Sequence, residues 1–518
     1  MYKVCCILAF AYLALFPVSE VVGQSLRPTE KVDQVTREIE MLLSKGILDT
    51  IPLGQSFGLT RTVRKVFDQV KTDSSSISEK KLKELVQRKP FSTQLEMSFG
   101  WAELLPRYVQ GNGLGYIDAV VSPLSQGRGG RGMDQGFNVV MEPSLGLSIG
   151  EWEFYKVLSI PIARGKSSVH SFGIQELWGE GPIGPLYFSV GRSPLVWGPS
   201  VKGSSLFSGQ ARSLDQISLG SDDTFRLPWI LNRLGPARLS ISLSRLENNR
   251  DIPHSYLVGY RLNIKPWKSL EMGLSALVHS GGDGSPSASL RSRILDHLIV
   301  VEPLTKLGTP GRQKLAISNR FAGFDVRWRL PWAKAPQIYA SLVFDDLGKF
   351  NQLGRVFGQD ASYVTGVFLP QPFGNPQSSV RLEYREAGIR FYQHNPFSSG
   401  LTIDGIIIGD NLGPNGRGGY LEFDTMTKLA GRLKLELAWE ERSDDQYVVR
   451  EGFVFENILN KPEEIRVRLV GSWEENWELG LLTLARVGYE KVDNYGALQG
   501  MDRSNWLFEL RTILPLSF

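Results

Sequence analysis

Side chains able to do catalytic or metal chemistry are few in this sequence and widely spaced. The chain of 518 residues has five histidines and two cysteines, and the cysteines are neighbours at Cys5 and Cys6. No two histidines have the spacing of metal ligands, and the rest of the chain offers neither a disulfide nor a thiol nucleophile. The sequence therefore predicts no catalytic residue, no metal site and no cofactor.

Two short motifs resemble parts of enzyme sites. Gly127–Gly132 matches G-x-G-x-x-G, but no strand-to-helix context surrounds it, so it predicts a flexible basic loop rather than a nucleotide site. His279 and Ser280 are adjacent and precede the glycine-rich Gly281–Gly284. A Ser-His pair of an esterase is assembled by the fold and not by adjacency. This segment also predicts a loop, and we do not expect an enzyme.

Aromatic, amide and arginine side chains in glycine-rich segments offer a different chemistry. Aromatic rings stack on sugar faces, while amides and guanidinium groups hydrogen-bond hydroxyls and acidic groups. Such groups suit a polysaccharide, and an acidic one in particular. The candidate polysaccharide-binding residues are Arg192, Trp197, Tyr392, His394, Asp410, Asn411, Asn415 and Arg417.

These candidates lie between segments that alternate like β-strands. Apolar residues occupy nearly every second position from Trp506 to Phe518, and Phe91–Ala102 and Leu433–Trp439 show the same period. That period fits a strand with one apolar and one polar face. An arginine facing lipid at mid-membrane costs about 2–4 kcal/mol. The face that carries Glu509 and Arg511 is therefore expected to line a lumen, and the opposite face to contact lipid.

Three features favour a membrane barrel over a soluble sandwich: the terminal aromatic Phe518, aromatic residues near strand ends, and connections that alternate between short and long. Counting back from Phe518 gives about 18 strands, an even number as in bacterial barrels. Short turns are predicted at Lys265–Lys268, Pro331–Ala335 and Glu474–Asn476, and long loops at 104–135, 280–315, 388–415 and 442–463. The predicted fold class is mainly β, a transmembrane antiparallel β-barrel preceded by a small periplasmic α-helical bundle.

The chain divides into three predicted regions. Lys3, the apolar stretch Val4–Phe16 and small residues up to Gly23 predict a cleaved export signal at 1–23. Residues 24–90 form a periplasmic helical segment of about three short amphipathic helices. This segment is either a cap packed on the barrel or a module that binds a partner. Residues 91–518 form the outer-membrane β-barrel.

The overall composition excludes other classes of protein. Apolar residues are 42% and charged residues 22%, which excludes a disordered chain. A helical membrane bundle would need repeated apolar runs of about 20 residues. The net charge of +4 gives no argument for nucleic acid.

Several stretches resemble the Wzi-type family of capsule assembly proteins. They are Gly191–Pro199, Gly203–Leu206, Tyr256–Leu262, Lys265–Pro266, Leu270–Ser275, Gly323–Asp325, Glu383–Glu386 and Tyr392–His394. The resemblance implies an outer-membrane barrel of about 18 strands with a periplasmic helical bundle. It also implies a lectin-like role, the attachment of exported capsular polysaccharide or exopolysaccharide to the cell surface, without catalytic residues.

The expected partners are capsular or exopolysaccharide, outer-membrane lipid and the polysaccharide export machinery, with no nucleic acid, and the expected form is a monomer. Two other functions fit the same strands. One is a general porin-like channel, which conductance in planar bilayers would reveal. The other is a scaffold for the export machinery acting through the periplasmic helices, which would keep its role if the outer loops were trimmed.

Overall fold

The computed structural model describes residues 37–42, 52–69, 82, 90–104, 107–109, 119–121, 129–130, 135–163, 172–200, 203–285, 297, 318–331, 335–345, 359–394, 397–427, 431–450, 454–477 and 480–516. The predicted export signal and Phe518 lie outside these residues, as does most of the predicted helical segment. Within the described ranges, no helix has the length and apolar character needed to cross a membrane.

The main sheet is a closed antiparallel barrel of 18 strands. The strands are β1 Phe91–Ala102, β2 Gly136–Ile149, β3 Trp152–Ala163, β4 Gly173–Ile183, β5 Leu186–Ser193, β6 Leu214–Ser221, β7 Pro236–Arg245, β8 Tyr256–Trp267, β9 Leu270–Ser280, β10 Ser318–Arg329, β11 Gln337–Asp345, β12 Ala361–Pro370, β13 Ser378–Ala387, β14 Gly416–Met426, β15 Arg432–Arg442, β16 Glu464–Asn476, β17 Leu482–Asp493 and β18 Arg503–Leu516. Pairing of β1 with β18 closes the barrel. The short strand Phe225–Arg226 continues the pairing of β6 along β7. The predicted fold class is confirmed.

The two ends of the barrel differ in the length of their connections. At the end we call the turn end, strands are joined by residues 150–151, 184–185, 222–235, 268–269, 330–336, 371–377, 427–431 and 477–481. At the opposite end, the loop end, they are joined by 103–135, 164–172, 194–213, 246–255, 281–317, 346–360, 388–415, 443–463 and 494–502. All the predicted long loops therefore lie at one end. The turn predicted at Glu474–Asn476 is wrong by a few residues, because β16 runs on to Asn476.

The two faces of the wall have the predicted polarity. Leu510 and Leu435 are exposed on the outer surface, whereas Glu509 is buried on the inner side. Along β1, Gln94 and Glu96 are buried and their neighbours are partly exposed. An apolar outer face and a polar inner face are what a barrel in lipid requires.

At the turn end, the N-terminal part of the chain enters the lumen. Residues 37–42 are helical, and Glu40 reaches Arg381 at 2.5 Å and Arg327 at 3.7 Å. Arg37 lies 3.4 Å from Asp424. All three partners are on the inner face of strands, near the turn end. Buried charges are tolerated when they are paired in this way.

A longer helix, α1 (Leu59–Gln69), packs against the turns. Arg61 and Lys65 approach Asp222 at 2.5 and 2.6 Å, and Arg64 approaches Glu153 at 2.7 Å. The described residues of 24–90 thus contact the barrel wall and its turns. The boundaries of the three regions stay predictions.

Apolar side chains fill the lumen at the loop end. Loops 194–213 and 388–415 fold inward and pack on residues of β8 to β11. The buried members of this cluster, which we call the apolar plug, are Leu195, Trp197, Leu206, Phe207, Ala211, Leu214, Leu246, Leu257, Leu277, Phe321, Val343, Ala387, Phe391, Tyr392, Leu401, Ile403, Ile407 and Ile408. The N-terminal segment reaches this plug, since Ser56 N donates to Val196 O and Gly198 N to Gly54 O, each at 3.0 Å.

Candidate functional site

Three loops meet at the outer surface of the loop end. They are 246–255, the described start of 281–317 up to residue 285, and the part of 388–415 from residue 397 to 404. Several of their polar side chains are exposed or half-buried. We call this surface the outer polar face, and its members are Asn248, Asn249, Asp251, His254, Asp283, Ser398, Ser399 and Asp404.

Asp251 joins two of these loops. Its backbone N donates to Ser399 Oγ at 3.1 Å, and Ser398 Oγ donates to its carboxylate at 2.9 Å. Partial burial raises the pKa of Asp251, but the hydrogen bonds from both serines outweigh it and hold that pKa below its usual value. The face therefore presents a carboxylate at neutral pH.

Arg250 supports the same junction from beneath. Its side chain is buried and donates to Thr402 O at 3.0 Å and to Gly400 O at 2.9 Å. It also pairs with Glu247 at 3.4 Å, and Glu247 accepts from Asp404 N at 3.2 Å. These bonds give the exposed groups above them fixed positions.

The third loop is attached through His254 and Asp283. His254 Nδ1 lies 2.8 Å from the Asp283 carboxylate, and both side chains reach solvent. Gly282 makes the close approach possible, because a Cβ there would lie 2.7 Å from Pro253 O, and its φ is 97°. Carboxylates, an imidazole, amides and hydroxyls are thus presented together, a set that can hydrogen-bond sugar hydroxyls.

Just below the face, Ser255 Oγ lies 2.9 Å from His279 Nε2. Both residues are buried, and the His279 ring packs 4.1 Å from Phe397. A nucleophilic serine must be open to its substrate, so this pair serves the packing of the loops. Within the described residues, no group of three or more His, Cys, Asp or Glu side chains is placed to hold a metal ion.

Two of the predicted sugar-binding aromatics lie in the apolar plug. Trp197 is 2% exposed and Tyr392 0%. The Trp197 ring packs edge-on against Phe207 at 4.7 Å. Tyr392 Oη donates to Ser205 O at 2.6 Å and accepts from Asp410 N at 2.8 Å. In this structure neither ring has a face open to a ligand.

Three further predicted residues belong to the same inward loop. Asp410 and Asn411 are buried, and His394 is half-buried, with its ring 6.5 Å from that of Phe397. Asp410 accepts from Leu412 N at 3.1 Å and lies 3.5 Å from Arg385. Burial raises the pKa of Asp410, and Arg385 offsets part of that effect.

The remaining predicted residues lie on the rim. Arg192 forms a two-pronged pair with Asp215, with both distances 2.8 Å. Arg417 is half-exposed and pairs with Glu441, and Asn415 Nδ2 donates to Ser443 O at 3.2 Å. The structure therefore brings Trp197, Tyr392, Asp410 and Asn411 together and leaves Arg192 and Arg417 on separate strands.

Sequence reasoning missed the outer polar face. Its signal was present in short runs of turn-forming residues, Asn248–Asn249, Gly281–Gly284 and Ser398–Ser399. The predicted flexible loop at Gly127–Gly132 is in part fixed, because Gly129 N and Gly130 N donate to Gly209 O and Gln210 O at 2.8 and 2.6 Å.

A closed barrel with an apolar outer surface, short turns at one end and long loops at the other places this chain among the outer-membrane β-barrel proteins. The turn end is then periplasmic and the loop end extracellular. Residues 119–506 match the family model described as capsule assembly protein Wzi. The chain belongs to this family, and it is a capsule assembly barrel of the outer membrane. The family takes its name from capsule assembly and not from a catalysed reaction.

Two known proteins are similar to this chain, one over less than half of its length and the other over nearly all of it. An uncharacterised 55.8 kDa protein in the cps region of Klebsiella pneumoniae is 26% identical over 228 residues, 42% of this chain and 43% of that protein. The match thus spans less than half of the relative. The solved structure of Wzi from Escherichia coli, described as an outer membrane protein involved in group 1 capsule assembly and a carbohydrate-binding β-barrel, superimposes with a TM-score of 0.69. It is 16% identical and covers 96% of this chain and 100% of its own.

Proposed function

We propose that this protein holds exported capsular polysaccharide or exopolysaccharide at the cell surface through the outer polar face. The observation that carries the proposal is the junction of three loops at Asp251, His254 and Asp283. There, exposed acceptors and donors are fixed by hydrogen bonds to neighbouring loops. Groups that are already in position lose little conformational entropy when they bind a ligand. The carbohydrate binding of the Escherichia coli protein supports the same role.

The contacts suit a long polymer better than a small ligand. One hydrogen bond between protein and sugar replaces one to water and contributes only about 0.5–1.5 kcal/mol. A repeating polysaccharide gains affinity by engaging several sites or several protein molecules at once. A shallow face of few polar groups can therefore retain a polymer without a deep pocket.

The previously predicted residues fit this proposal in two ways. Asn415, Arg417, His394 and Arg192 are candidates for further sugar contacts around the rim. Trp197, Tyr392, Asp410 and Asn411 would act by holding loops 194–213 and 388–415 in the lumen. We expect the second group to affect polysaccharide only through the fold of the loops.

The filled lumen favours retention over passage. The N-terminal segment occupies it at the periplasmic end and the apolar plug at the outer end. Between them, a small cavity of about 40 Å³ is lined by Arg381, Glu383, Arg385, Tyr420, Leu421, Glu422, Glu436, Leu437, Ala438 and Arg468. Its charges are largely paired, as in Arg385 with Glu383 at 2.5 Å. This arrangement argues against the porin alternative. The scaffold alternative is favoured by no contact among the described residues.

The test is direct binding of the purified barrel to oligosaccharides prepared from the polysaccharide of the same cells. Combined His254→Ala and Asp283→Ala should weaken binding by about tenfold, from the loss of two hydrogen bonds of about 0.5–1.5 kcal/mol each. The matched control is Lys491→Ala with Asp493→Ala, another exposed pair, 2.9 Å apart, near the loop end. Equal affinity of the two double variants would remove this face from the site.

A further inference from the structure

The turn 222–235 at the periplasmic end carries three neighbouring large apolar side chains, all exposed, on a short helix of its own. The 3₁₀-helix Trp229–Leu234 has no buried residue. Trp229 is 93% exposed and Ile230 74%, and Leu231 is also exposed. A cluster of large apolar side chains left open to water is a marker of an interaction surface.

The turn lies beside the barrel wall. Gly235 has a φ of 74°, and a Cβ there would lie 2.1 Å from Lys265 O at the end of β8. Only glycine allows the turn to approach β8 so closely. Trp267, the last residue of β8, is also exposed. It lies opposite Leu270 of β9, and Leu270 in turn lies opposite the exposed Trp328 of β10. The patch is therefore continuous with exposed tryptophans on the outer surface of the barrel.

The charged residues of the turn that lie nearest in sequence to the exposed apolar side chains are both basic. Arg226 and Arg233 are exposed, and Arg226 donates to Asn232 Oδ1 at 3.2 Å. Neither arginine forms an ion pair with any described residue. Of the two acidic residues of the same turn, Asp222 pairs with Arg61 and Lys65 of α1 at 2.5 and 2.6 Å, and the exposed Asp223 lies 3.9 Å from Lys65. Tryptophan with flanking arginines is the combination found at the headgroup level of membranes, where phosphates attract the cations.

We propose that this turn is a lipid anchor: Trp229, Ile230 and Leu231 insert into the periplasmic leaflet of the outer membrane, and Arg226 and Arg233 bind phospholipid phosphates. The anchor rests on the location of the barrel and not on its polysaccharide function. Because Asp222 opens the same turn and holds α1, the anchor also connects the lipid surface to the segment that fills the lumen.

The test places a nitroxide label on Ile230→Cys in a chain carrying Cys5→Ser and Cys6→Ser, the two native cysteines. The protein is reconstituted as one copy per nanodisc of phosphatidylethanolamine and phosphatidylglycerol. The matched control is Ile458→Cys, an equally apolar exposed residue near the outer loop end. We expect the label at 230 to be several-fold less accessible to a water-soluble nickel complex than the label at 458, and more accessible to oxygen.

A change in the charge of the lipids provides a second test of the proposal. Replacing phosphatidylglycerol by phosphatidylcholine should increase nickel accessibility at 230, and Arg226→Gln with Arg233→Gln should abolish that dependence. Equal nickel accessibility at 230 and 458 in the nanodisc would overturn the proposal. Protection of 230 in cells but not in the single-copy nanodisc would overturn it in favour of a protein partner.

Discussion

The hydroxyl of Tyr392 joins two loops inside the barrel, because it donates to Ser205 O and accepts from Asp410 N. The ring itself packs 4.4 Å from Phe391. Burial raises the pKa of Tyr392 well above its usual value, so the hydroxyl keeps its proton and the donated bond at all physiological pH values. Tyr392 therefore stabilises the apolar plug in the structure described here.

Replacing this hydroxyl should destabilise the protein measurably. Tyr392→Phe leaves a buried carbonyl and a buried amide without their partner, at a cost of about 1–3 kcal/mol. The measurement is the free energy of unfolding in urea, with protease sensitivity of loop 388–415 as a local readout. Tyr447→Phe is the control, since its hydroxyl makes a long, partly exposed contact of 3.4 Å with Asp445, and its effect should stay within about 0.5 kcal/mol. Equal effects would show that Tyr392 is not buried as described.

Sequence could identify Tyr392 and Trp197 as special but not where they lie. Both are aromatic residues in long glycine-containing loops, which is equally typical of a sugar site and of a loop that folds into a lumen. The difference depends on the path of the loop, which is set by distant contacts such as Ser208 Oγ with Gly409 O at 2.5 Å. Asp251 and Ser398, which also form a hydrogen bond, are 147 residues apart in sequence. Their contact could not be predicted for the same reason.

At the scale of elements, α1 is held to the barrel by charge. Burial raises the pKa of Asp222, but hydrogen bonds from Arg61 and Lys65 exceed that effect and leave the pKa below its usual value of 3.8. A carboxyl group whose pKa is lowered on folding stabilises the folded arrangement above its unfolded pKa. The stabilisation is lost as pH falls through the folded pKa.

The attachment of α1 should therefore be independent of pH from 8 to about 5 and weaken only below about pH 4. The measurement is the mobility of a spin label on Thr60→Cys, a half-buried position of the helix. In Asp222→Asn the label should be more mobile at neutral pH, and acid should add little. Loss of attachment between pH 5 and 7 in the wild type would point to another titrating group and contradict the assigned role of Asp222.

The strands themselves were the most predictable elements. Period two fixes both the existence of a strand and the face it buries, so β1, β15 and β18 follow the predicted pattern. Strand ends were less predictable, because pairing with neighbours extends β16 through Asn476. The contacts of residues 37–42 with the lumen and of α1 with the turns could not be predicted, since a helical period says nothing about which surface a helix contacts.

In the whole molecule, the N-terminal segment and the apolar plug both occupy the lumen and should together prevent the passage of ions. We expect negligible conductance of the purified protein in planar bilayers, with a general porin as the positive control. Combined Arg37→Ala, Glu38→Ala and Glu40→Ala removes the described ion pairs of residues 37–42 and should produce only brief openings, because the apolar plug remains. A stable open channel in the wild type would restore the porin alternative.

If the outer polar face retains polysaccharide at the cell surface, its loss should change the ratio of cell-bound to shed polysaccharide. Single substitutions are too weak for this assay, since a repeating polymer compensates for them by avidity. The variant therefore combines Asp251→Ala, His254→Ala and Asp283→Ala, and Lys491→Ala with Asp493→Ala serves as the control. We predict that the triple variant releases polysaccharide into the medium, while the amount of barrel and the total polysaccharide stay at the wild-type level. Full retention by a triple variant with a normal amount of folded barrel would show that the outer polar face does not hold the polysaccharide.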